Sequence, residues 1–156
     1  MNKWLIIGGL TGAAFLLWGG KTLMTSTRGV RNNNPLNIKR GNDWNGETDI
    51  PLDPVFESFK EPKYGFRAGA KLLRNYQSLY GLNTIRELIN RFAPYSENNT
   101  QAYVAFVAKE MGVGENEPLD LSSDSTLAKL IHTMSKMESG NGAFSLTQAK
   151  AGVALV

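Results

Sequence analysis

Glu138 is the most informative of the residues that could do chemistry in this 156-residue chain. A helix predicted from about Ser123 carries an apolar stripe whose next position is Glu138, and glycines end that helix. Burial against apolar neighbours and the negative end of the helix dipole both raise the pKa of a carboxyl. A carboxyl that stays protonated near neutral pH can act as the general acid that cleaves a glycosidic bond. The alternative is a frayed last turn that leaves Glu138 solvated.

Composition narrows the other kinds of chemistry. The chain has no cysteine and one histidine, His132, which disfavours a thiol nucleophile, a zinc site and a Ser-His-Asp triad, so we expect neither a cofactor nor a metal. Two of the three net positive charges come from Lys3 and Lys21, and no basic run follows, so we expect no nucleic-acid partner. A length of 156 residues is enough for one domain, and 42% hydrophobic with 20% charged residues excludes a disordered or collagen-like chain.

Five helices are predicted to position Glu138 in a mainly helical (α+β) domain. The first is predicted over about Pro62 to Tyr80 and the third over about Thr100 to Gly112. The second starts at Thr84, with Glu87 at capping-box spacing, the fourth starts between Ser123 and Ser125, and the fifth follows Ser145, with Gln148 again at capping-box spacing. Residues 37–59 are broken by glycine and proline, which favours one or two short strands or a hairpin there.

The N-terminal region is strongly apolar. Residues 4–20 carry no charge, and the run extends to Met24 if the Lys21 side chain snorkels. We therefore expect residues 1–24 to be a retained transmembrane helix, which contacts the bilayer through residues 4–24; a cleaved signal peptide is the alternative. Residues 25–35 are predicted to be a polar linker, and residues 36–156 the domain. The basic residues after the span favour a cytoplasmic domain, which conflicts with the function inferred below.

Three segments resemble phage and prophage virion-associated peptidoglycan hydrolases of the lysozyme-like superfamily. They are RGVRNNNPLNIKRGNDWNG (28–46), FESFKEPKYGFRAGAKLLRNY (56–76) and RFAPYSENNTQAYVAFV (91–107). The resemblance covers about residues 28–156. It implies a lysozyme-like fold and an enzyme that cleaves the glycan strands of bacterial peptidoglycan.

A more distant resemblance assigns roles to residues. Bacterial glucosaminidases of the lysozyme-like kind have Glu-Ser-Gly at a helix end, followed later by an Asn-rich segment and a Trp-x-Gly turn. Here the same pieces come in the opposite order, so the chain looks like a circularly permuted version. The resemblance implies that Glu138 is the catalytic acid and that Asn34, Asn37, Trp44 and Ser139 bind substrate. A tryptophan such as Trp44 is also a common core residue.

Residues 93–103 are similar to a substrate-cleft segment of lytic transglycosylases. That similarity implies that Tyr103 orients the sugar or the catalytic acid, and that Tyr95, Glu97 and Asn98 border the cleft. Each has a structural alternative. Tyr103 could be a half-buried residue at a helix start, and Glu97 and Asn98 could cap that helix.

A second carboxylate is not identified by spacing. The available acids are Glu47, Asp53, Glu57 and Glu97. Glycosidases usually pair two carboxyls, whereas a lone Glu138 favours a lytic transglycosylase. The expectation is a membrane-anchored phage enzyme that opens the cell wall locally during genome entry. It would reside in a virion internal membrane or the host inner membrane, beside other virion membrane or capsid proteins. The alternatives are a glycan-binding or structural protein with an inactive fold, and a holin-like pore.

Overall fold

The structure is a computed structural model, and it describes residues 15–18, 21–24, 26–95 and 99–156. This part of the chain is mainly helical, as predicted. Two short strands, β1 (Phe15–Trp18) and β2 (Lys21–Met24), form an antiparallel pair with Phe15 opposite Met24. The helices are α1 (Arg28–Arg31), α2 (Pro62–Tyr80), α3 (Ile85–Phe92), α4 (Thr100–Met111), α5 (Asp124–Ser139) and α6 (Leu146–Val153).

The five predicted helices are confirmed, together with the signals that delimit them. Helix α2 ends at Gly81, whose left-handed backbone (φ 67°) is the usual glycine stop. Helix α3 begins with a complete capping box between Thr84 and Glu87. Helix α6 begins with another, between Ser145 and Gln148.

The N-terminal region differs from the prediction. Residues 1–14 of the expected transmembrane helix lie outside the described residues. At positions 15–18 and 21–24 the prediction of a helix is wrong, because these residues form β1 and β2. Gly19 and Gly20 separate the two strands in sequence, and glycine in the interior of a helix costs about 1 kcal/mol relative to alanine. In the described part of the chain, no helix is long and apolar enough to cross a membrane.

The segment predicted as a linker is folded from residue 27 onward. Helix α1 buries Gly29, and the asparagines that follow it bond to distant parts of the domain. Asn33, in the left-handed conformation (φ 48°), donates to the Phe59 carbonyl at 3.0 Å, and Asn32 donates to Asp53 at 3.1 Å. The sequence predicts that these asparagines form solvated turns in a linker. Their side-chain amides instead bond Asp53 and Phe59, so the domain begins before residue 36.

Residues 37–59 contain isolated antiparallel bridges, Lys39 with Phe56 and Glu47 with Phe59, but no continuous strand is described there. The predicted hairpin is thus reduced to single pairings. Side-chain bonds to the backbone hold the rest of the segment; the Ser58 hydroxyl, for example, accepts from the Leu52 amide at 3.1 Å.

Helix α2 lies at the centre of the core and packs most extensively on α6, while α5 packs on α6, α4, α2 and α1. The α2–α6 approach depends on Gly152. A Cβ at that position would lie 2.5 Å from the Phe66 Cβ and 2.7 Å from the Lys63 carbonyl oxygen. Backbones this close cannot accommodate a side chain, so the glycine sets the distance between the two helices.

Candidate active site

Glu138 is the penultimate residue of α5 and is only 2% exposed. Its apolar stripe therefore continues into the core, and the frayed, solvated alternative does not apply. Burial raises the pKa of this carboxyl to about 8, an effect partly offset by hydrogen bonds from Tyr103 and Asn37. At neutral pH the group carries its proton, as a general acid requires.

Asn37 connects the N-terminal part of the domain to Glu138. Its amide nitrogen donates to the Glu138 backbone carbonyl at 2.7 Å and makes a longer contact, 3.4 Å, with the carboxyl Oε2. The residue is buried and adopts φ 47°, a left-handed conformation that asparagine tolerates better than most residues. Asn37 thereby holds the Glu138 backbone and side chain together.

Tyr103, on α4, is buried beside the same carboxyl. Its hydroxyl donates a long hydrogen bond, 3.5 Å, to the Met134 carbonyl and also interacts with the Glu138 side chain. Burial, followed by the negative charge that Glu138 can carry, raises the pKa of Tyr103 well above its ordinary value. The phenol therefore stays neutral and remains a hydrogen-bond donor.

Two oxygen atoms of this site are buried without a hydrogen-bond partner among the described residues. They are Oε1 of Glu138 and Oδ1 of Asn37. Buried polar atoms are nearly always paired, so two such atoms in one site call for a donor. The O–H of a protonated Glu138 is one such donor, and an N–H or O–H group of a ligand is another.

Ser139 has a supporting role in this arrangement. Its hydroxyl donates to the Pro35 carbonyl at 2.9 Å, and its own carbonyl accepts from the Thr27 hydroxyl at 2.8 Å. Gly29 in α1 lies directly against it, since a Cβ there would be 2.0 Å from the Ser139 Oγ. These contacts hold the C-terminal end of α5 against residues 27–37. The roles of Thr27 and Gly29 in this packing were not predicted from the sequence.

Other residues predicted to bind substrate are placed differently. Asn34 is fully buried, and its side chain bonds the backbone of Ile38 and Glu57, with each distance 2.9 Å. Trp44 belongs to the hydrophobic core. These contacts give both side chains a role in folding, and their contact with substrate stays a prediction. Tyr95 is 79% exposed, and Glu97 and Asn98 lie outside the described residues.

Of the acids available as a second carboxylate, Asp53 is committed to an ion pair. The guanidinium of Arg28 contacts both of its oxygens, with Nε–Oδ2 at 2.6 Å and Nη2–Oδ1 at 2.7 Å. This pairing holds the pKa of Asp53 well below its usual range. Asp53 is therefore ionised and fixed, and its role is structural.

Glu57 and Glu47 line a separate cavity of about 730 Å³, together with Arg40 and Pro54. Glu57 is buried at its wall and accepts a hydrogen bond from the Gly41 amide at 3.1 Å. Burial, followed by the negative charge of Glu47, raises the pKa of Glu57 to about 7. Among the described acids, Glu57 is thus the second carboxyl that is partly protonated near neutral pH.

His132 contacts the Phe144 carbonyl through Nε2 at 3.1 Å, which suits a structural role. In the residues that the structure describes, no three histidine or acidic side chains are grouped closely enough to hold a metal ion.

The domain is thus a mainly helical one with a buried carboxyl site, and the chain belongs to a family of phage proteins. One relative in that family is Protein P5 of Pseudoalteromonas phage PM2. The two are 45% identical over 131 residues, an alignment that covers 81% of this chain and 80% of the phage protein. No protein-family model matches the chain.

Proposed function

We propose that this protein is a phage enzyme that cleaves the glycan strands of bacterial peptidoglycan as a lytic transglycosylase, on a circularly permuted lysozyme-like fold. One observation carries the proposal: the Glu138 carboxyl is buried, which raises its pKa to about 8, and its Oε1 has no partner among the described residues. A group in that state can donate a proton to a bound oxygen atom.

The proposed reaction uses this one carboxyl twice. Glu138 first gives its proton to the glycosidic oxygen, and the bond from that oxygen to the anomeric carbon breaks. The resulting carboxylate then takes the proton from a hydroxyl of the same sugar, whose oxygen bonds to the anomeric carbon and closes an anhydro ring. Glu138 is thereby reprotonated for the next cycle. Asn37 holds the carboxyl during both steps by donating to its Oε2, and the Tyr103 hydroxyl lies beside it.

Access to the carboxyl is a requirement of this mechanism. With Glu138 only 2% exposed, a glycan reaches it only after neighbouring groups move aside. The same burial favours a second candidate function, a glycan-binding or structural protein in which Glu138 only joins α5 to Asn37.

Membership in a phage family supports a place in the virion. We propose that the apolar residues 4–24, which include β1 and β2, attach the protein to a lipid bilayer, in the virion internal membrane or the host inner membrane. There it would meet other membrane or capsid proteins of the virion and open the cell wall locally during genome entry.

The test is product analysis with the full chain in mild detergent on purified Gram-negative sacculi. Wild type is compared with Glu138→Gln, which keeps the shape but cannot donate a carboxyl proton. Glu110→Gln is the matched control, because Glu110 is exposed on α4 and only pairs with Lys136 at 2.8 Å. Mass spectrometry of the released muropeptides should show anhydro-muramyl ends for wild type and Glu110→Gln, and none for Glu138→Gln.

Other products would change the assignment. Reducing ends in place of anhydro ends would mean hydrolysis and would make Glu57 the first partner to test. A folded wild-type protein that releases nothing would favour the glycan-binding or structural candidate.

A further inference from the structure

The loop of residues 50–55, with sequence IPLDPV, presents only apolar side chains to the outside. Ile50 is 77% exposed, Leu52 64% and Val55 44%, and both prolines of the loop are exposed as well. The only polar side chain in the loop, that of Asp53, points inward to Arg28. An exposed patch of contiguous apolar residues on a protein surface usually marks a contact site.

Hydrogen bonds hold this apolar loop in place. The Ile50 carbonyl accepts from the Thr48 hydroxyl at 2.9 Å, and the Leu52 amide donates to the Ser58 hydroxyl at 3.1 Å. The Asp53 carboxylate accepts from the amides of Val55 and Phe56 at 2.9 and 3.0 Å. The loop therefore cannot fold its apolar side chains inward without breaking bonds to buried groups.

The ion pair between Asp53 and Arg28 also fixes where this loop lies. Arg28 follows Met24, the end of the apolar N-terminal residues 4–24, by four positions. Four residues span at most about 14 Å. The apolar loop thus lies close to the point where the chain leaves residues 4–24.

We propose that residues 50–55 insert into the surface of a phospholipid bilayer, the same bilayer that holds residues 4–24, and that this second contact fixes the orientation of the domain on the membrane. The inference rests on the membrane part of the proposed function and is independent of the chemistry at Glu138. Asp49, next to the loop, is exposed and acidic, so the contact depends on apolar insertion rather than on attraction to anionic lipids.

The absence of native cysteine allows a direct test in the full chain. Leu52→Cys and Leu79→Cys are matched, because both leucines are 64% exposed and Leu79 lies on α2. Each variant is labelled with nitrobenzoxadiazole and reconstituted into phosphatidylcholine vesicles, with or without a doxyl quencher on the lipid acyl chain. The label at position 52 should lose most of its fluorescence to the quencher, and the label at position 79 should lose little. Ile50→Cys should behave like Leu52→Cys.

The other outcomes each overturn the proposal. Protein that floats with vesicles but is not quenched at position 52 would show that the loop stays in water. Equal quenching at positions 52 and 79 would show a contact that is not specific to the loop. A blue-shifted label that lipid does not quench would mean that protein covers the loop. If the protein does not float with vesicles, the proposed membrane attachment of residues 4–24 is wrong as well. The proposed chemistry at Glu138 is not affected, because the muropeptide analysis tests it independently.

Discussion

The proton on Glu138 is the residue-scale feature from which a stability prediction follows. Because the folded pKa is about 8 and the ordinary value is 4.5, the folded state binds more protons than the unfolded state between those pH values. The stability of the wild type must therefore fall as pH rises from about 4.5 to 8. A glutamine at this position does not titrate in this pH range.

We expect Glu138→Gln to gain stability relative to wild type as pH rises through this window, by about 5 kcal/mol at most at its upper end, since each pKa unit of the shift corresponds to about 1.4 kcal/mol. Urea unfolding at several pH values measures the difference. Glu110→Gln, at an exposed position, should show no such widening. A constant difference between Glu138→Gln and wild type across the window would contradict a raised pKa.

Some of the site could be predicted from the sequence, and the reason is local. Helical spacing places Glu138 on the apolar stripe, although a frayed last turn stays open from the sequence, and Tyr103 lies on the buried face of a helix whose start could be predicted. The bond between Asn37 and Glu138 joins residues 101 positions apart, and no local pattern encodes it. Resemblance assigns Asn34 and Trp44 to substrate, whereas the positions of both side chains depend on tertiary contacts.

At the scale of elements, capping signals made the longer helices predictable, and α1 was missed. Helix α1 has four residues and precedes an asparagine run that is typical of a turn. Its existence depends on contacts with α5, which the sequence does not display. Gly29 makes those contacts possible.

We expect Gly29→Ala to destabilise the domain by about 2 kcal/mol, since overpacking a tight contact usually costs 1–3 kcal/mol. The added Cβ would lie 2.0 Å from the Ser139 Oγ and 2.9 Å from the Asn34 carbonyl oxygen. Alanine favours a helix over glycine by up to about 1 kcal/mol, which is too little to offset that clash. Gly114→Ala is the control, because its nearest contacts are ordinary at 3.6 Å or more. Equal unfolding midpoints for the two variants would show that α1 can move away from α5.

At the scale of the whole molecule, the ion pair between Arg28 and Asp53 joins the start of the domain to the loop of residues 50–55. Since the folded pKa of Asp53 is depressed, its stabilising effect is complete above the ordinary value of 3.8 and is lost as pH falls below it. The order of the helices along the chain could be predicted. The ion pair between Arg28 and Asp53 could not, because nothing in the sequence distinguishes Asp53 from the other available acids or indicates which base it pairs with.

We expect Asp53→Asn to lower the free energy of unfolding by about 2 kcal/mol at neutral pH, a typical loss for hydrogen bonds between charged groups. The exposed pair of Asp49 and Lys60 is the control, and Asp49→Asn should change stability by less than about 1 kcal/mol. Chemical unfolding of both variants measures this. The gap between them should narrow progressively as pH falls from 3.8 toward the depressed pKa of folded Asp53, and a gap that stays constant over that range would point to a cause other than the ion pair.

The close fit of α6 onto α2 also bears on how the protein is made. A ribosome delivers α2 before α3, α4 and α5, and α6 only after them, so the growing chain carries α2 without its main partner while residues 81–145 are added. Helix α5, which bears Glu138, also lacks its packing partner α6 until that helix is synthesised. The apolar N-terminal residues leave the ribosome before any of these helices, so they can reach a membrane while the rest of the chain is still unable to fold.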